Sequence, residues 1–150
     1  MMGIRESFEL CLADFGKALG TKLVFEEDHC NFTVDGAVEI ELDYYDDSDV
    51  VVAWATVGEM PEDDLAGDRA LVLLALNELG GPAGGYTLSM DADTRRVIAH
   101  DNRPAEAFDS ADRLAAWLET LVELVNAIRE DFAERFPCMD IDDEAEEEEP

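Results

Sequence analysis

The stretch Val50-Val51-Val52-Ala53-Trp54-Ala55-Thr56-Val57 is apolar at nearly every position. Read as a strand with a side-chain period of two, it turns Val50, Val52 and Trp54 to one side and Val51, Ala53, Ala55 and Val57 to the other. Both faces need cover. The next element has the same property. From about Glu62 to Leu79, just after Pro61, the chain reads as a helix. Its Leu65, Ala66, Ala70, Leu71, Val72, Leu73, Leu74, Leu76 and Leu79 are too many for one stripe. In a small two-layer fold, one side of each element meets water. Elements apolar on both sides call either for a second layer from the same chain or for another chain that covers them.

The flanking segments supply the rest of the architecture. Ile4, Phe8, Cys11, Leu12, Phe15 and Leu19 recur at helical spacing, and Gly20 stands where a helix C-terminus favours glycine. Leu23-Val24-Phe25 is a short run of strand type. Cys30, Phe32 and Val34 alternate with polar residues up to Asp35-Gly36, a two-residue hairpin signal. Val38, Ile40, Leu42 and Tyr44 continue the alternation, and the polar cluster Asp46 to Asp49 turns the chain again. After the glycine-rich link from Gly80 to Gly85, Tyr86, Leu88 and Met90 form one arm of a further hairpin and Arg96 to His100 the other. Asp109 is placed to cap a long last helix with a stripe of Leu114, Trp117, Leu118, Leu121, Val125, Ile128 and Phe132. The order is helix, three or four strands, helix, two strands, helix. That mixture implies an α+β fold with an antiparallel sheet.

With 150 residues, 47% of them hydrophobic, the chain fits one domain, expected over residues 1–137. Residues 138–150 read as a disordered tail, because Asp140 to Glu149 is a like-charge block. Acidity is not confined to it: 38 acidic residues against 10 basic ones give a formal net charge of −28. Such a surface repels nucleic-acid phosphates and anionic membranes. It equally fits attraction of a basic partner, solubility of an otherwise sticky surface, or a salt-rich habitat. The N-terminus lacks a basic segment followed by an apolar run, and no apolar stretch approaches the ~20 residues of a membrane span, so a cytoplasmic protein is expected. Cys11, Cys30 and Cys138 fit neither a disulfide framework nor a zinc knuckle.

No constellation for catalysis emerges. His29 and His100 are the two histidines, and neighbouring His29 and Cys30 point to opposite faces of a strand. The glycines from 80 to 85 follow a helix rather than open one, unlike a phosphate loop. The acids from Asp43 to Asp49 lack the central glycine and closing glutamate of a calcium loop. No enzyme, metal or cofactor is expected.

One further pattern runs through the body from about residue 4 to 135. The short first helix ends Leu19-Gly20, one strand reads Cys30-Asn31-Phe32-Thr33-Val34-Asp35-Gly36, and another ends Val57-Gly58-Glu59-Met60-Pro61. Its most specific piece is a leucine-rich helix, Asn77, the glycine-rich link and the strand Tyr86-Thr87-Leu88-Ser89-Met90-Asp91. This series resembles the class I chaperones of bacterial type III secretion, of the Tir-chaperone type. The resemblance implies an α-β-β-β-α-β-β-α protomer, a homodimer, no nucleotide, and a secreted effector whose N-terminal segment wraps, extended, around the dimer. The acidic tail is a departure from that pattern. On this reading, Phe8, Leu12, Phe15, Val38, Ile40 and Leu42 are candidates to bind the partner, with plain packing of the first helix on its own sheet as the alternative. Trp54, Leu73 and Leu76 are candidates for the dimer seam. A secretion-independent binding protein of the same fold and a small acidic enzyme stay open.

Overall fold

In the computed structural model, residues 3–78 and 85–136 are described. The expected tail at 138–150, the residues from Leu79 to Gly84 and the thiol of Cys138 lie outside them. The elements run α1 (Ile4–Leu19), β1 (His29–Val34), β2 (Val38–Tyr45), β3 (Val50–Glu59), α2 (Ala66–Leu76), β4 (Thr87–Met90), β5 (Arg96–Pro104), a 3-10 turn (Ala105–Ala107) and α3 (Ala111–Arg135). This is the expected α-β-β-β-α-β-β-α order. The five strands form one sheet in the order β1-β2-β3-β5-β4, and the β1–β2, β2–β3 and β4–β5 pairs are antiparallel.

The chain divides into two compact units. The first comprises Met1–Trp54 and Asp101–Thr120, the second Ala55–His100 and Leu121–Pro150, so β3, β5 and α3 each contribute to both.

In the first unit the alternation sets the register. Cys30 faces Leu42, Phe32 faces Ile40 and Val34 faces Val38, which puts these six side chains on one face. Asp35 and Gly36 both have positive φ (53° and 68°), as a primed hairpin turn needs, and Ala37 donates back to the Val34 carbonyl. Helix α1 ends in a Schellman motif: Gly20 adopts φ 81°, Thr21 donates to the Gly16 carbonyl and Gly20 to that of Lys17. Phe8, Leu12 and Phe15 of α1 are buried, with Phe8 packing on Tyr44 and Phe15 edge-on to Phe32.

Leu23-Val24-Phe25 is not a strand. Glu27 and Asp28 take left-handed backbone angles immediately after it, which ends any extended run. Its side chains are instead used singly: Leu23 is buried and the Phe25 ring packs against Phe8 and Tyr44. Arg5 stitches this corner, donating to Glu9, Asp28 and Asp46 while its guanidinium lies over the Phe25 and Tyr44 rings.

In the second unit α2 is shorter than the sequence suggests. Asp63 accepts from the Leu65 N–H and the Asp63 carbonyl from that of Ala66, so residues 63–65 form a turn before the helix. At the other end the Asn77 amide leaves the helix to bind β4. Its Nδ2 donates to the Leu88 carbonyl (2.9 Å) and its Oδ1 accepts from the Leu88 N–H (2.7 Å), imitating a neighbouring strand at the sheet edge. The α3 stripe is buried along its whole expected length, from Leu114 to Phe132. Its cap is Ser110, whose Oγ accepts from Arg113 N–H, rather than Asp109, which pairs with the Arg113 side chain.

Candidate functional site

The six residues expected to hold a partner, Phe8, Leu12, Phe15, Val38, Ile40 and Leu42, all lie in the core of the first unit. Five of them are completely inaccessible, because α1 rests on the apolar face of β1 and β2. The packing alternative accounts for them, and none is offered to an incoming chain in this conformation.

What α1 does offer is its outer side. Ile4 and Leu10 are exposed, Cys11 half-buried, and they face a groove of about 570 Å³. Its opposite wall is the 3-10 turn and the start of α3, including Ala105, Glu106, Phe108 and Asp109. Phe108 packs against two other rings, its centroid 5.8 Å from that of Phe8 and 4.9 Å from that of Trp117. The Cys11 thiol donates a long contact to the Phe108 carbonyl (3.5 Å). Burial, then the charges of Asp14 and Asp109, push that thiol above its ordinary pKa and make it a poor nucleophile.

The three candidates for a dimer seam differ from one another. Leu73 is buried within the second unit and Leu76 is half-buried. Trp54 is half-buried on the outer face of β3, where its Nε1 donates to Asp43 (3.0 Å). The uncovered leucines of α2 are others: Leu71 and Leu74 are 66% and 65% exposed, one helical turn apart, with Gly67, Ala70 and Ala75 exposed around them. The inner stripe of α2 holds Leu73 and, unexpectedly, a buried Arg69. Arg69 makes a bidentate pair with Asp63 (2.6 and 3.1 Å) and lies over the Phe136 ring, and it holds the Asp63 carboxyl below its usual range.

On the outer side of β1 and β2, both ring nitrogens of His29 meet carboxylates, Nδ1 that of Asp43 (2.6 Å) and Nε2 that of Glu41 (2.8 Å). Among the described residues, no group of three or more His, Cys, Asp and Glu side chains is arranged to hold a metal. Among the same residues, no helix is long and apolar enough to cross a membrane.

The sequence profile of the Tir chaperone protein (CesT) family matches residues 10–129. The chain belongs to that family. Among solved structures, CesT-type architecture recurs in the HopA1–SchA chaperone–effector complex, with 24% identity and a TM-score of 0.67, over 87% of this chain and 99% of the other. The ExsC–ExsE complex gives a TM-score of 0.68 at 17% identity, over 93% and 100%. The fold also matches YbjN of E. coli, described as a putative transcription regulator, at a TM-score of 0.57 and 13% identity, over 89% and 93%. No curated protein sequence matches the chain.

Proposed function

We propose that this CesT-family protein is a cytoplasmic type III secretion chaperone that binds the N-terminal segment of an effector and keeps it unfolded for export. The family match over residues 10–129 carries the reading. The physical support is a surface with uncovered apolar residues. A non-globular segment is held by apolar grooves and backbone pairing, which also keep its own sticky residues from aggregating.

The working form is a homodimer. Leu71 and Leu74, exposed side by side on α2, are our candidates for its seam. Obligate seams resemble a core cut in half, and two large leucines in a field of small side chains suit that description. The likeness to YbjN favours a second reading, a binding protein outside secretion. Direct DNA contact is disfavoured in either case by a net charge of −28.

The test is co-expression of the full chain with a secreted candidate, intact and lacking its N-terminal segment. The proposal expects co-elution that requires the segment, with the segment still open to protease. Co-elution that depends only on the candidate's folded remainder would overturn it.

A further inference from the structure

The geometry points to the groove between α1 and the start of α3 as the seat of an amphipathic partner segment whose large apolar residues are flanked by arginine or lysine. This rests on the chaperone reading and names the chemistry of the segment it would bind. The floor is apolar where it is exposed: Ile4 and Leu10 line it, beside Cys11 and Phe108. The rim is acidic. Asp14 stands on one wall, Glu106 and Asp109 on the other, and among the described residues no lysine or arginine lines the groove.

Two cations of the chain approach the rim from outside, Lys17 at 4.0 Å from Asp14 and Arg113 at 3.2 Å from Asp109. Both pairs are widely exposed, so each is weak and an incoming guanidinium competes with it at little cost. The chain's net charge of −28 adds a long-range field of the same sign. An acidic segment would meet that field and three rim carboxylates. A purely basic one would leave Leu10, which is 53% exposed, uncovered. The segment that satisfies both needs apolar and cationic side chains together.

Size agrees. From Ile4 to Asp14 the helix rises about 15 Å, a length that about five extended residues would match. The Phe108 ring is packed between Phe8 and Trp117, so its place beside the groove is set by the core.

The probes are three labelled synthetic peptides of equal length, alternating Leu with Arg, Leu with Glu, and Ser with Arg. They are titrated into the full chain carrying Cys138→Ser, so that Cys11 is the accessible thiol to follow. The Leu/Arg peptide should bind at least about tenfold more tightly than either other, about 1.4 kcal/mol. It should also slow alkylation of Cys11. Leu10→Ser should remove that advantage, whereas Leu19→Ser, exposed on the same helix but outside the groove, should not. Equal binding of the Ser/Arg peptide would reduce the effect to bulk charge and overturn the inference. Binding that leaves Cys11 as reactive as before would overturn it too. An effector segment that still co-elutes with Leu10→Ser at full affinity would refute the groove while leaving the chaperone reading intact.

Discussion

Gly16 of α1 lies so close to Thr21 that a Cβ at position 16 would stand 2.7 Å from the Thr21 carbonyl oxygen. The same two residues are joined by the Thr21 N–H to Gly16 carbonyl bond that closes the helix. Alanine normally gains about 1 kcal/mol over glycine inside a helix. Here the nearest obstacle is backbone, with Leu23 Cγ at 3.0 Å and the Leu23 nitrogen at 3.2 Å behind it, so a side-chain rotation alone cannot make room. Overpacking of this kind costs about 1–3 kcal/mol. Gly16→Ala should therefore lower the thermal midpoint, read by circular dichroism. A raised midpoint would show that the α1 end relaxes freely.

Asn77 replaces a missing strand at the β4 edge. Removing its two hydrogen bonds in Asn77→Ala leaves the Leu88 N–H and carbonyl without that partner, at about 1–3 kcal/mol. Asn77→Asp keeps an acceptor for the N–H but places a carboxylate oxygen against the Leu88 carbonyl. It should fail to rescue stability. Urea midpoints for the three proteins decide the matter, and an aspartate variant as stable as wild type would contradict the assignment.

These two positions show why some of the structure was legible in sequence and some was not. Period-two alternation put Phe32, Ile40 and Leu42 on one face, and the hairpin register followed from Asp35-Gly36. Helix α2 gave no such guidance. Residues 69, 73 and 76 share one stripe and residues 67, 71 and 74 another, and leucine occurs on both. The inner stripe contains Arg69, whose charge alone would place it outward; it is held inside by its pairing with Asp63 and by the ring of Phe136, far along the chain. The same limit applied to α1. Phe8, Leu12 and Phe15 were visible as one stripe, but whether that stripe met the sheet or a partner depended on the core, while the exposed Leu10 lies off the stripe that periodicity picks out.

The two stripes of α2 make opposite predictions. Leu73→Ala should destabilise the fold by about 2–5 kcal/mol, as a buried leucine does. Leu71→Ser with Leu74→Ser should leave a folded protein that sediments as monomer, where wild type is expected to sediment as dimer. Analytical ultracentrifugation beside thermal melts separates the outcomes. Wild type that is itself a folded monomer at micromolar concentration would remove α2 as a seam.

His29 gives the fold a pH dependence whose sign follows from its two neighbours. Nδ1 faces Asp43 and Nε2 faces Glu41, so only the doubly protonated ring donates to both. The hydrogen bond to Asp43 and the charges of Asp43 and Glu41 raise its pKa in the folded state, against a smaller opposing effect of burial. The stabilisation is complete below the ordinary histidine value, near 6.5, and is lost as pH rises through the raised folded value. His29→Gln should therefore cost more stability near pH 6 than near pH 9. With the ring 40% exposed, solvent screens the pair and the difference is small. Trp54, which shares the Asp43 carboxylate, reports the same event by fluorescence. The wild-type emission should titrate with the His29 pKa, and the variant's should not. An unchanged titration in His29→Gln would assign the pH dependence to another group.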